Sequence, residues 1–301
     1  MGYCTKINLE QLHTLTQINL DDLVSSFGWQ DQPVLARILR GFFYKPARTF
    51  AKLMLEFDTA IVEHGLVHAS RLTEKRFVQD VRVFGLDRVP DSAFLALSNH
   101  PGMTDTLALF CALKNPDLKI IALDRPFLMA LPNLSRQLFF VRDDPADRMK
   151  LVRQVSGHLR SGGAALTFPA GEIEPDPNVY PGAVDSLQSW TDSVGVFIRM
   201  APETMILPVL VRNVIWDKLA NHPLLKVKKS RFDREKLAAS LQLLAMVMWN
   251  VTPVTVTVQI GKPINPKELG VTNTQVIHQA VLAEMKYLIE NPPQGDGISV
   301  L

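Results

Sequence analysis

The sequence of 301 residues predicts an α/β protein: a mixed, largely parallel central sheet flanked by helices, with a small N-terminal helical region. Three observations carry this expectation. Apolar residues recur at helical spacing up to about residue 80. Beyond it, short apolar runs alternate with helical stretches, as strands and crossover helices do. With 47% hydrophobic residues, a chain of this length can bury a large core. The expected organisation is a helical region over 1–80, an α/β domain over 81–290 and a flexible tail over 291–301, which begins Asn291-Pro292-Pro293-Gln294-Gly295-Asp296-Gly297.

In the N-terminal region Leu9, Leu12 and Leu15, then Leu35, Ile38, Leu39, Phe42 and Phe43, follow helical spacing. Positions 36–53 hold Arg37, Arg40, Lys45, Arg48 and Lys52 and no acidic residue, interleaved with Phe42, Phe43, Tyr44, Phe50 and Leu53. Such a stretch suits an anionic membrane surface. The alternative is a solvated helix face whose apolar side packs on the main domain. Strands are expected at 81–84, 94–97, 119–123, 138–141, 164–168, 205–211 and 254–260. The clearest unit runs from Phe139 to Phe168: a strand, a helix with Met149, Val152, Val155 and Leu159 on one face, the closing pair Gly162-Gly163, and a second strand. A βαβ crossover of this kind is parallel and right-handed, and functional groups gather at the carboxyl ends of its strands.

Composition excludes several classes. Basic and acidic residues number 32 and 30, so nucleic acid is not an expected partner. Cys4 and Cys111 are the only cysteines, too few for a disulfide framework or a metal-thiolate site, which fits a reducing compartment. No signal peptide and no membrane-spanning apolar run is apparent; Gly2 with Thr5 and Lys6 only superficially matches a myristoylation start. The expected location is cytoplasmic, or peripheral on the cytoplasmic membrane face.

The most informative stretch is Asn99-His100-Pro101-Gly102-Met103-Thr104-Asp105. A buried strand leads into it, and Pro101 biases His100 away from helical geometry, so the imidazole stands where the strand ends. Asp105 falls at or near the N-cap of the next helix, from which its carboxylate can hold the ring while the other ring nitrogen acts as a base. Phe168-Pro169-Ala170-Gly171-Glu172 follows another strand; Pro169 ends the ladder, and Gly171 lets the backbone turn tightly, leaving amides free to meet an anion. Glu172 suits an anion site only if it orients a hydroxyl or pairs with an arginine. Arg142, at the end of Phe139-Phe140-Val141, can bind two phosphate oxygens at once, whereas Arg136 and Arg148 read as surface charges.

Taken in order, these pieces resemble the glycerolipid/lysophospholipid acyltransferase superfamily, whose first motif is a His, four residues, then Asp. Phe139-Phe140-Val141-Arg142 resembles the second motif, Phe168 to Glu174 the third (typically Phe-Pro-Glu-Gly-Thr-Arg-Ser), and Ile206-Leu207-Pro208-Val209 the fourth. The Phe-Pro-Ala-Gly-Glu form is similar to a divergent branch that includes hemolysin-like and ornithine-lipid acyltransferases. The resemblance implies phospholipid biosynthesis, with acyl transfer from acyl-CoA or acyl carrier protein to the hydroxyl of a glycerol-phosphate or lysolipid-type acceptor. It implies His100 as general base, Asp105 as its orienting partner, and Arg142 with Phe168, Pro169, Gly171 and Glu172 around the acceptor. It implies no metal and no cofactor. Where the family has Thr-Arg, this chain has Glu172-Ile173, so the usual cationic phosphate ligand is missing and glycerol-3-phosphate specificity is open.

Three other classes remain. A metal hydrolase could use His64 and His68 beside Glu63, although no third ligand with defined spacing follows. A serine or cysteine hydrolase lacks a Gly-x-Ser-x-Gly elbow. A non-catalytic peripheral-membrane or acyl-carrier binding module would dock through 36–53 and Lys226-Val227-Lys228-Lys229-Ser230-Arg231. For the acyl chain, Met103, Leu107, Phe110 and the region Leu241 to Trp249 are candidate groove residues, or else simple core.

Overall fold

A computed structural model describes residues 8–269 and 273–301; Gly2 and Cys4 lie outside the described residues. Three helices come first: α1 (Leu9–Phe27), α2 (Pro33–His64) and α3 (Leu66–Glu74). α1 is capped by Asn8, whose side chain accepts the Glu10 and Gln11 amides, and it ends on Gly28 in the left-handed region at φ 71°. From Ala47 onward α2 buries Phe50, Ala51, Met54, Leu55 and Phe57, while Val34, Ile38 and Phe42 stay exposed. The apolar side of the basic stretch therefore packs inward in its second half, whereas its first half buries Leu39 and leaves Ile38 and Phe42 in solvent.

All seven expected strands form: β1 (Asp80–Phe84), β2 (Phe94–Ser98), β3 (Lys119–Leu123), β4 (Leu138–Val141), β5 (Ala164–Thr167), β6 (Met205–Arg212) and β7 (Thr255–Ile260). With β8 (Ile298–Ser299) they make one sheet in the order β4-β3-β5-β2-β6-β7-β1-β8. β4, β3, β5, β2 and β6 run parallel, which brings their carboxyl ends to one edge; β7 pairs antiparallel with β6 and parallel with β1. β2 is buried along its whole length, as a central strand covered on both faces must be. Phe94 and Ala96 point to a core shared with α1, α2, α3, α4 (Thr104–Leu113) and α7 (Arg231–Trp249). Leu95 and Leu97 point to the opposite core, built by α5 (Pro145–Arg160), α6 (Ser193–Met200) and α8 (Thr274–Glu290).

Two expectations need correction. The tail over 291–301 is not a free end: β8 pairs antiparallel with β1, Val300 donates to the Val81 carbonyl at 3.1 Å, and Ser299 Oγ donates to Asp80 at 2.7 Å. Without it β1 would present an unpaired edge, and Val300 would lose its buried position. The buried face of α5 is Leu151, Val155 and Leu159, while Met149, six residues before Val155 and well round the helix, is exposed. The strands flanking α5 are parallel but not neighbours, because β3 lies between them. Among the described residues no helix is long and apolar enough to cross a membrane.

Candidate active site

Where the β2 ladder stops, the Asn99 side chain continues it. Its amide donates to the Val211 carbonyl and its oxygen accepts the Val211 N–H, each at 2.8 Å, so a side chain imitates one more backbone pair with β6. His100 is thereby delivered to the carboxyl end of the central strand. Its Nδ1 lies 2.8 Å from Asp105 Oδ2, which also accepts the Gly102 N–H at 2.9 Å, and the Thr106 hydroxyl donates to Oδ1 at 3.0 Å. Asp105 is wholly buried. It is not the N-cap: Met103 holds that place without a side-chain bond, and Asp105 is the second residue of α4, where a carboxylate is still favoured by the helix dipole.

A carboxylate only accepts, so Nδ1 carries the hydrogen and the lone pair is left on Nε2. Among the described residues Nε2 has no hydrogen-bond partner, and the His100 side chain is 31% exposed. Burial, the largest influence, pulls its proton affinity down. The charge and hydrogen bond of Asp105, with the charge of Glu174, outweigh it and leave the imidazole more basic than usual.

The Phe168 ring lies 4.7 Å from the imidazole, tilted by 33°. Pro169 is buried, and its carbonyl accepts the Thr191 amide. The turn from Phe168 to Gly171 closes on itself, because the Gly171 N–H donates to the Phe168 carbonyl at 3.0 Å. This corrects the expectation of a free Gly171 amide: φ 69° makes glycine the fitting residue, but the donor is spent inside the turn. Glu172 is exposed. Arg142 is at the same sheet edge but three strand positions from β2, about 14 Å at the usual strand spacing. Its guanidinium is held loosely by Asp124 at 3.5 Å and Asp147 at 3.7 Å. The structure thus brings together His100, Asp105, Phe168 and the Gly171 turn, and leaves Arg142 and Glu172 out of contact with the imidazole.

Sequence reasoning missed three residues that build the site. Glu174, 3% exposed, bonds both main-chain groups of His100. Asp176, buried, accepts the amides of Asn213, Val214 and Ile215 where β6 ends. Asn99 could have been singled out as a polar residue closing an apolar strand. For the two acids the only signal is their spacing in Glu174-Pro175-Asp176-Pro177, which does not show which way they face.

Beside the first turn of α4 a small groove is lined by Met103, Val214, Ile215, Gln242, Leu243 and Met246. Of the other residues considered for it, Leu107 and Phe110 are core. Cys111 is buried, and burial followed by the charge of Glu74 pushes its thiol up to about 12, which removes it as a nucleophile near neutral pH. His64 and His68 stack edge to face at 5.4 Å, and among the described residues no group of three or more His, Cys, Asp or Glu side chains is placed to hold a metal.

Residues 80–212 match the family model described as Acyltransferase. That segment resembles an acyltransferase domain. It spans β1 to β6 and contains His100, Asp105, Arg142, Phe168, Gly171 and Glu174. A comparison with curated proteins gave no match. A comparison with solved structures matched the 1-acyl-sn-glycerophosphate (LPA) acyltransferase PlsC from Thermotoga maritima, at 18% identity and a TM-score of 0.45, over 95% of this chain and 96% of that one. Within the matched segment, the site is assembled from the exits of β2, β5 and β6, with α4 rising from the same edge.

Proposed function

We propose that the protein moves a fatty acyl group from an acyl thioester, acyl-CoA or acyl carrier protein, to the hydroxyl of a glycerol-phosphate or lysolipid-type acceptor, with His100 as general base. The observation that carries this reading is the pairing of Nδ1 with buried Asp105 at 2.8 Å while Nε2 is left unpartnered on a part-exposed ring. The acceptor hydroxyl would donate to Nε2. As its oxygen attacks the thioester carbonyl, the proton passes to Nε2 and Asp105 stabilises the imidazolium. Collapse of the tetrahedral intermediate breaks the C–S bond, and the departing thiolate takes the proton back. The first-turn amides of α4, with the positive end of its dipole, are the donors available to the developing oxyanion.

Phe168 walls the base, Pro169 fixes the turn behind it, Glu172 on the exposed side of the Gly171 turn can accept from an acceptor hydroxyl, and Arg142, paired among the described residues with exposed carboxylates, can exchange them for a phosphate. Val34, Ile38 and Phe42 are 67%, 63% and 69% exposed at four-residue spacing on α2, close to exposed Arg37, Lys45 and Arg48. This face suits peripheral binding to an anionic membrane, where a lipid acceptor would be met.

The test is incubation of purified protein with labelled acyl-CoA or acyl carrier thioester and a panel of lysolipids, glycerol-3-phosphate and amino-lipid acceptors. Thiol release matched by acylated acceptor is expected, with His100→Ala slower by about a hundredfold or more. Transfer by His100→Ala at the wild-type rate would refute the assignment. Vesicle sedimentation by a variant without turnover, and no transfer by the wild type, would favour a binding module.

A further inference from the structure

We infer that Glu174 is a positioning residue for His100: a buried carboxylate that fixes the main chain of the base from across the loop junction and holds a negative charge beside its imidazole. The inference rests on His100 being the base. The geometry is two-sided. The Glu174 N–H donates to the His100 carbonyl at 2.9 Å, and the Glu174 carboxylate accepts the His100 N–H at 3.2 Å through Oε2. The strand has ended at Ser98 and a proline follows, so His100 has no ladder partner, and Glu174 satisfies both of its main-chain groups. The same contacts tie segment 99–105 to segment 168–174 and so set how the imidazole meets Phe168 and the Gly171 turn.

Oε1 accepts the Trp190 indole N–H at 2.7 Å and approaches Ser186 Oγ at 3.2 Å. Ser186 has one hydroxyl hydrogen and a second acceptor, the Ala183 carbonyl at 2.8 Å. When it donates to Ala183, its lone pair faces Oε1 and can take a hydrogen from a neutral carboxylic acid. The pocket therefore accommodates both protonation states. Burial raises the Glu174 carboxyl to about 7 against the lowering pull of Trp190, the His100 amide, Ser186 and the His100 charge.

The other ionisable groups around this junction are accounted for. Asp105 lies beyond the imidazole, with Glu74 near it. On Glu174's own segment, Asp176 is committed to the amides after β6 and Glu172 is exposed. Asp185 and Asp192, beside Ser186 and Trp190, are exposed. The consequence is that two coupled groups, His100 and Glu174, govern the acid limb of kcat/KM, so its logarithmic slope exceeds one.

Two variants pull that limb in opposite directions. Glu174→Gln removes the charge and sets an amide against donors, so kcat should fall roughly tenfold to a hundredfold with acceptor KM nearly unchanged, the limb moving to lower pH with unit slope. Trp190→Phe removes a donor that favours the ionised carboxylate, so the limb should move to higher pH. An NMR titration of labelled His100 in wild type and Glu174→Gln, which needs no substrate, should show the imidazole titrating at lower pH in the variant. A purely structural role for Glu174 would lower kcat but shift neither the pH profiles nor the titration; profiles and titrations superimposed on wild type in folded variants overturn the inference. Should Glu174→Gln fail to fold, Trp190→Phe carries the test alone. Loss of transfer in His100→Ala with unshifted profiles defeats only this inference, whereas wild-type transfer in His100→Ala defeats the base itself.

Discussion

Asp105→Asn isolates the charge behind the base. In the wild type Oδ2 accepts two N–H groups, from His100 Nδ1 and Gly102, while Oδ1 meets the Thr106 hydroxyl, which can accept as readily as donate. Asparagine fits this pattern one way round, with its oxygen toward His100 and Gly102 and its amide toward Thr106, so the imidazole tautomer is kept and only the charge is lost. With charge centres about 4 Å apart and an effective dielectric near 20, that charge is worth about 4 kcal/mol to a full imidazolium. If roughly half of the proton charge has reached Nε2 in the transition state, kcat falls ~30-fold; if all of it has, ~1000-fold. The assay is initial-rate thiol release at saturating donor and acceptor from pH 5 to 9, with thermal melting as the control for folding. The expected result is a kcat lower by that factor, acceptor KM nearly unchanged, and an acid limb displaced to lower pH because the imidazole has lost its counter-charge. A kcat within about threefold of wild type across the profile would refute the electrostatic role of Asp105.

Glu74 is fully buried, among the described residues neither of its carboxyl oxygens is hydrogen-bonded, and burial, then the charge of Asp105, holds its carboxyl well above the usual carboxylate range. The folded state thus keeps a proton that the unfolded chain releases, and the resulting stability is whole below the unfolded pKa and declines as pH rises; Glu74→Gln should be the more stable protein at pH 8 but not at pH 4 in denaturant titrations, and an equal difference at both would refute it. Arg142→Ala should raise KM about tenfold or more for a phosphate-bearing acceptor while sparing donor KM and fold, because only exposed ion pairs are lost; a kcat loss with unmoved KM would place the phosphate elsewhere. The double variant Ile38→Ser, Phe42→Ser should sediment at least about tenfold less with anionic vesicles, each side chain giving up apolar burial, while transfer to a soluble short-chain acceptor is retained; unchanged sedimentation would move the membrane face away from α2.

Central strands were legible in the sequence because burial on both faces demands an unbroken apolar run, and β2, β5 and β6 have one. β8 was not legible: its two exposed residues lie among glycines, prolines and polar groups, and it forms only because β1 offers an open edge. The His100–Asp105 pair was legible because five residues across one strand-to-helix turn are governed by local backbone geometry. The place of Arg142 was half legible. A strand end could be foreseen from Phe139-Phe140-Val141, but sheet order could not, and the insertion of β3 between β4 and β5 carries Arg142 away from the imidazole.

The altered third motif shows most clearly why the rest stayed hidden. Aligned with its family pattern, Glu172-Ile173-Glu174 reads as the loss of a cationic phosphate ligand, and the two glutamates look alike. The chain separates them by direction. Glu172 faces solvent, whereas Glu174 turns inward to an indole, a serine and the backbone of a residue 74 positions earlier. No periodicity reports such a contact, because neither partner lies in a helix or strand and each depends on where a different strand ends. A buried acid costs stability, and here its oxygens are spent on donors that have no other acceptor among the described residues: replace the side chain, and the His100 N–H and the Trp190 N–H lose their partner together, while the main-chain N–H of residue 174 still meets the His100 carbonyl. The departure from the family pattern at this motif therefore sets a buried carboxylate on the main chain of His100, while Arg142 stands apart on the far side of β3 and β5.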